Sequence, residues 1–248
     1  MSYSEFAAVY DKLQKEVDYR SRAEYLAEIF KEYDRLPTLM LDLACGTGGF
    51  SLEFLRQGVD VIGVDPSVEM LNCAREKCYG SGFDMLLLCQ TAAELDLYGT
   101  VDGAICCLDS VNHIIDEKEL QESFKKVSLF LEKDRLFIFD VNSVYKHKEI
   151  LSGNTFVGEA DNVFYTWRNS ECDEKGIVDI RLDFFCENED GVYERSCEEF
   201  SERAYSEEML NEMLDKADLE VVAVLGDMSF EPPSENEERI IYVTRKRS

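Results

Sequence analysis

Basic residues are scarce in this chain: 26 Lys and Arg stand against 52 Asp and Glu, a formal net charge of −26. Nucleic-acid binding draws on a basic stripe that releases counterions, and none is present. DNA and RNA are therefore not expected as partners. Histidine is scarcer still, limited to His113 and His147, so an imidazole base must be one of those two. No apolar run is long enough to cross a bilayer, and the first residues are acidic and aromatic rather than a secretory leader. No Cys-x-x-Cys pair occurs, and the nine cysteines are an odd number. Several, including Cys45, Cys89, Cys106 and Cys107, sit in or beside apolar runs where a thiol acts as a small hydrophobe. These features fit a reducing compartment, with no disulfide framework and no zinc site. A cytoplasmic protein without membrane or metal is the expectation, as either a monomer or a homodimer.

What is present is a globular composition, 45% hydrophobic over 248 residues, enough for one sizeable α/β domain with an insertion. The informative stretch is Leu39 to Phe50. An apolar run, Leu39 to Leu43, ends in a glycine cluster, and a helical pattern begins at Phe50. That order describes a buried strand, a tight turn and a helix start. Gly46 and Gly48 permit left-handed backbone and let a ligand lie against it. Nineteen residues after Gly46, the apolar run Val59 to Val64 ends at Asp65. In doubly wound folds an acid at that strand tip bonds a ribose diol. A dinucleotide fingerprint would place a third glycine where Ser51 stands, and Asp42 would sit badly beside a pyrophosphate. A carboxylate there suits an ammonium group instead. An adenosine ligand with an ammonium in place of phosphates is S-adenosylmethionine (SAM).

At Asp42-Leu43-Ala44-Cys45-Gly46-Thr47-Gly48, with Asp65 at the proper interval, the chain resembles the class I SAM-dependent methyltransferase family. The resemblance implies a doubly wound, mostly parallel sheet of seven strands, the last antiparallel. Strand and helix patterns alternate to match: Phe50–Leu55 helical, Val59–Val64 extended, then a helix capped by Ser67. Met85–Cys89, Gly103–Leu108 and Leu136–Val141 read as further strands, with an Asp116-capped helix between the last two. Tyr3 to Tyr33 reads as helical, with an aromatic start at Tyr3, Phe6 and Tyr10.

From about Thr155 to Ala204 the pattern changes to antiparallel alternation, with turn signals at Glu171–Gly176 and Glu187–Gly191. A helix from Ser206 and two final strands, Glu220–Leu225 and Arg239–Thr244, return to the first pattern. The expected organisation is a SAM-binding domain from residues 1–153 and 205–248, with an antiparallel β cap at 154–204. This insertion, with Tyr10-Asp11 and Arg203-x-Tyr205, is similar to the branch that includes glycine and sarcosine N-methyltransferases. There the inserted sheet caps the substrate pocket.

The resemblance implies these roles. Asp65 accepts from the ribose hydroxyls, Gly46 and Gly48 pass the methionine portion, Asp42 orders the loop or favours the ammonium, and Ala44 acts through its carbonyl. In Asp65-Pro66-Ser67-Val68-Glu69-Met70, Met70 resembles the position that packs on adenine. Thr91 stands where the family usually has an adenine-binding Asp, and the backbone of Ala92 follows it. The segment from Leu108 to His113 looks like the one that meets the methionine end in small-molecule enzymes, and His113 is the candidate base. Tyr10 is an aromatic lid near the sulfonium. Tyr165, Trp167, Arg168, Arg203 and Tyr205 are substrate-pocket candidates. Arg20 or Arg22 is the candidate to meet a carboxylate of donor or substrate, and His147, among lysines, is expected to be exposed.

The implied activity is methyl transfer from SAM to a small-molecule nucleophile, N or O, leaving S-adenosylhomocysteine (SAH). Two alternatives remain: a non-catalytic SAM-binding protein and an NAD-dependent dehydrogenase, for which Tyr242 and Lys246 supply a Tyr-x-x-x-Lys spacing.

Overall fold

In the computed structural model the described residues are 10, 11, 13, 14, 17–188 and 190–248. Tyr3 and Phe6, expected to open the first helix, lie outside them. Strands β1 (Leu39–Leu43), β2 (Asp60–Asp65), β3 (Leu86–Cys89), β4 (Gly103–Cys106), β5 (Leu136–Asn142), β10 (Leu219–Gly226) and β11 (Arg239–Lys246) form one sheet, ordered β10-β11-β5-β4-β1-β2-β3. Only β11 runs antiparallel to its neighbours. The order reverses at β1, which pairs with β2 on one side and β4 on the other. That is the topological switch point, where doubly wound sheets open a crevice beyond the strand ends.

Both faces are covered, so β5 is buried along its whole length. One face carries helices α1 (Tyr19–Tyr33), α2 (Gly49–Arg56) and α3 (Val68–Gly80), which pack against residues such as Met40, Ile105, Ile138 and Ile241. The other carries α4 (Glu117–Phe130) and α5 (Glu207–Asp215), over Leu41, Ala104, Phe137 and Phe139. A stack of Phe124, Phe139 and Tyr242 centres that layer, with centroids 5.0–5.4 Å apart. Two of the helix starts follow their sequence signals, whereas the stretch read as helical from Tyr3 to Tyr33 is interrupted at Val17 and Asp18, and its helix begins at Tyr19 behind an Asp18 cap. The Ser67 hydroxyl accepts from the Met70 amide (3.2 Å), and the Asp116 carboxylate accepts from the amides of Lys118 and Glu119 (2.9 and 3.0 Å). A lost cap of this kind costs about 1 kcal/mol.

Between β5 and α5 the chain builds a second, four-stranded antiparallel sheet, β6 (Thr155–Ala160), β7 (Val163–Asn169), β8 (Ile177–Glu187) and β9 (Tyr193–Arg203). Side chains opposite one another in such a ladder share a face. The pairs Tyr165–Phe184, Trp167–Leu182, Ile180–Phe200 and Val178–Glu202 therefore define one face. It packs on Leu13 and on Leu151, at the end of a π-helical turn (Lys146–Leu151) that follows β5. Arg168–Arg181 and Ile177–Arg203 belong to the opposite face. Among the described residues no helix is long and apolar enough to cross a membrane.

Candidate active site

The crevice begins at the tip of β1. Ala44, Gly46 and Gly48 all have positive φ (57°, 53° and 74°), and Gly48 caps α2 in the left-handed conformation. A Cβ added at Gly46 would meet nothing within 4 Å, so open space lies against the backbone there. At Gly48 it would come within 3.0 Å of the Ala74 Cβ, so this glycine lets α3 approach. Asp65, buried at the tip of β2, ties the two tips together. One carboxylate oxygen accepts from the Gly46 amide (2.9 Å), the other from the Ser67 amide (2.8 Å). A carboxylate has about four acceptor positions, so two remain for a diol. Burial raises the Asp65 pKa, and the two amides oppose that shift.

Asp42 lies deeper, fully covered, and accepts a hydrogen bond from the Ser51 hydroxyl (2.5 Å). Burial pushes its carboxyl up to about 7, and the nearby charge of Asp65 adds to the shift. The folded-state pKa lies above the unfolded one, so Asp42 adds stability below about pH 4 that is lost as pH rises through about 7. The whole effect is of the order of 4 kcal/mol. Asp42→Asn is expected to flatten the melting temperature against pH over that window. A wild-type slope in the variant would assign the dependence elsewhere.

Tyr10 and Asp11 lie against this end of the sheet. The Asp11 carboxylate accepts from the Thr47 hydroxyl (2.6 Å) and the Lys77 ammonium (3.0 Å). The phenol of Tyr10 is hydrogen-bonded to Tyr19, and its pKa is raised by burial first and then by Tyr19, Asp109, Asp11 and Asp65. Those neighbours place Tyr10 over the gap between the tips of β2 and β4.

Beyond β4 the chain takes two consecutive non-glycine residues, Leu108 and Asp109, through positive φ (56° and 54°). Such residues cost about 1–3 kcal/mol each and persist only where their surroundings hold them. Here Asp140, on β5, accepts from both amides, at 2.8 and 2.7 Å. Arg239, on β11, donates to Asp140 and to Asp109 (2.6 Å). Burial is the largest single influence and would raise the Asp109 carboxyl; the charges of Arg239, His113 and Lys146, with the Arg239 hydrogen bond, together outweigh it and hold the group low.

The same loop meets the second sheet through Asn112. Its amide nitrogen donates to the carbonyls of Asn142 (3.1 Å) and Arg203 (2.9 Å), and its side-chain oxygen accepts from the Asn142 amide (2.8 Å). His113 then projects from the loop with 44% of its side chain exposed, its ring 5.0 Å from that of Phe200. Its Nε2 lies 3.8 Å from buried Glu202. Glu202 also accepts from Asn142 (3.1 Å) and has His147 at 3.6 Å on the same oxygen.

A methyltransferase domain model matches residues 40–134. A methyltransferase-family protein of Geobacillus sp. (strain WCH70) is 30% identical over 247 residues, 99% of this chain and 100% of that one. The crystal structure of a SAM-dependent methyltransferase from Clostridium acetobutylicum ATCC 824 is 35% identical, covers 99% of each chain and superposes with a TM-score of 0.90. The chain belongs to the class I SAM-dependent methyltransferase family. A glycine/sarcosine N-methyltransferase of Parasynechococcus marenigrum (strain WH8102) is a more distant relative, 26% identical over 195 residues, 74% of this chain and 66% of that one.

The methyltransferase brings Tyr10, Ala44, Gly46, Gly48, Asp65 and the Leu108–His113 loop to one crevice, with Asp42 beneath it. Met70 is buried in the first turn of α3, and Pro66 is exposed beside Asp65. Thr91 donates to Glu94 (2.9 Å) at the short 3-10 turn Ala92–Glu94 that follows β3. Tyr165 and Trp167 lie on the inward face of the inserted sheet. Three other candidates do not join them. Arg168 is on the outer face, donating to Asp183 (2.7 Å). Arg203 is buried against the carbonyls of Lys175 and Ile115 and the carboxylate of Glu117. Tyr205 donates to the Ile114 carbonyl beneath that guanidinium, so both brace the β4–α4 loop.

His147, expected to be exposed, is completely buried, because the π-helical turn rotates it inward beneath the second sheet. Cys89, expected to be covered, is exposed at the end of β3. Arg20 pairs with Glu24 on an open surface, and Arg22 forms a two-pronged bond to Asp227 (2.7 and 2.8 Å). Tyr242 is stacked on Phe139, and Lys246 donates to the Leu131 carbonyl (2.7 Å), so neither is placed for a dehydrogenase reaction. Asp140, Arg239 and Glu202 escaped sequence reasoning. Each acts through partners 31 to 130 residues away, and no local pattern marks such pairs.

Proposed function

We propose that this enzyme methylates a nitrogen or oxygen of a small molecule, bound between the inward face of the sheet at 154–204 and the crevice at the tips of β1, β2 and β4. The observation that carries this is the single solvent-reachable imidazole, His113, standing between that apolar face and the crevice. SAM, when bound, supplies a methyl group on a positively charged sulfur. Asp65 would hold the ribose diol with its two free acceptor positions. The backbone at Ala44, Gly46 and Gly48 would follow the methionine portion, and Asp42, once ionised, would favour the ammonium. Met70, with Thr91 and Ala92, would border the adenine. Tyr10 would close over the sulfonium and shed water.

Alignment of acceptor and methyl within such a closed site is worth about 7–11 kcal/mol of barrier. A base is then needed only to take one proton, and His113 would receive it. Tyr165, Trp167 and Phe200 would supply an apolar wall, which favours a neutral amine or hydroxyl over a charged one. The glycine/sarcosine N-methyltransferase relative supports an amine among the candidates. The −26 charge argues against RNA or DNA acceptors.

The test is SAH release from SAM across amines, amino sugars, amino acids, phenols and thiols. Turnover with a small nitrogen or oxygen acceptor is the expected result. With that acceptor, His113→Ala should lower kcat about 100-fold or more while SAH affinity is unchanged. Turnover only with a macromolecule would overturn the proposal.

A further inference from the structure

Both histidines of the chain converge on one carboxylate. Glu202, 3% exposed, comes from the last strand of the inserted sheet, His113 from the β4–α4 loop, and His147 from the turn after β5. Asp109 completes the group: ligand atoms of Asp109, His113 and Glu202 all lie within 4.8 Å of one another. A second observation comes from His147. It is fully buried, neither ring nitrogen has a hydrogen-bond partner, and its Nε2 points at Glu202 Oε2 from 3.6 Å. A buried imidazole left in that state loses the water bonds of two polar atoms and recovers neither.

We infer that Asp109, His113 and Glu202, backed by His147, bind a divalent transition-metal ion. One imidazole and two carboxylates make a mixed nitrogen and oxygen donor set, suited to Zn²⁺, Co²⁺, Ni²⁺ or Mn²⁺ rather than Mg²⁺ or Cu⁺. The charge around the site permits it. The carboxylates of Asp109, Asp140 and Glu202 face the cations of Arg239 and Lys146, which leaves one negative charge uncompensated. Arg239 takes only one oxygen of Asp109, and Lys146 donates to Asn142 Oδ1 (3.0 Å) rather than to a carboxylate. Closing the cluster on an ion draws together the inserted sheet, the β4–α4 loop and the turn after β5. An ion there also occupies the lone pair of His113, so it competes with that residue's proposed proton transfer. The inferred site is thus an inhibitory one. It was not expected from the sequence, where the two histidines are separated by 34 positions.

The experiment titrates the full-length, metal-stripped protein with Co²⁺, read by its visible ligand-field spectrum, and with Zn²⁺ by calorimetry. One ion per chain is expected, without the sulfur charge-transfer band that cysteine ligation would give. His113→Ala and Glu202→Gln should each weaken binding about 100-fold or more, and His147→Ala, which backs the ligands, about 10-fold. SAH affinity is measured on the same samples, so that loss of the metal alone is told apart from a general loss of the crevice. Equal Co²⁺ binding by wild type and His113→Ala, or no binding at all, would overturn the inference. The His113 variant keeps the test open should Glu202→Gln fail to fold, because that side chain is half exposed. Failure here leaves the methyl-transfer reading standing, because SAH binding and turnover are measured separately.

Discussion

Asp65→Ala is expected to weaken binding of SAM and SAH at least about 100-fold. Two charge-assisted hydrogen bonds to the ribose diol, each about 1.5–3 kcal/mol, disappear together, and 1.4 kcal/mol is a factor of ten. The same change strips acceptors from the Gly46 and Ser67 amides, 2.9 and 2.8 Å from the carboxylate in the folded chain. Leaving those donors unpaired costs a further 1–3 kcal/mol of stability, roughly, wherever water cannot replace the lost oxygen. The variant should therefore melt earlier as well as bind poorly. Asp65→Asn separates the two effects. Its amide oxygen still serves one backbone amide, while its NH₂ presents donors toward a diol that needs acceptors, so melting should recover further than affinity. Calorimetric titration with SAH, beside melting of the ligand-free protein, checks both. Wild-type affinity in Asp65→Ala would place the nucleoside elsewhere.

The largest effect on stability is expected at Arg239. Its buried guanidinium spans Asp140 and Asp109, and Asp140 in turn restrains the left-handed Leu108 and Asp109. Removing one partner of a buried ion pair costs about 3–5 kcal/mol, because the stranded charges remain. For a chain of this size that corresponds to a fall of about 6–20 °C in melting temperature. Arg239→Lys keeps the charge but loses the planar fork that serves two carboxylates at once, and should fall between wild type and Arg239→Ala. Loss of the guanidinium also frees the loop that carries His113, so catalysis should suffer beyond the change in folded fraction. If Arg239→Ala melts within a degree or two of wild type, the network contributes little and the loop is held by other contacts.

The frame of the molecule was readable because its signals are local. A strand ending at Gly46, an acid nineteen residues on, and caps at Ser67 and Asp116 each follow from a few neighbouring residues. The antiparallel insertion announced itself by its alternation and turns, and a four-stranded antiparallel sheet stands there. The acceptor side was less legible for the opposite reason. Arg168 and Trp167 are adjacent in sequence, but a strand sends neighbours to opposite faces, and Arg168 points outward to Asp183. Arg203 and Tyr205 carry a recognisable spacing, but what they do is brace a loop. His147 sits among lysines in a stretch that reads as surface, and a π-helical turn buries it. Glu202 is one acid in a run of acids, singled out only by its long-range neighbours.

The inserted sheet leaves the parent fold after Leu151 and returns at Arg203, and Asn112 clasps both margins through the backbone of Asn142 and Arg203. Backbone clasps are indifferent to side-chain identity on the sheet they hold. Residues on its inward face, such as Tyr165, Trp167 and Phe200, are thus free to diverge without disturbing the crevice at the tips of β1 and β2. Grafting residues 154–204 between relatives should transplant acceptor preference while the nucleoside half stays as it is.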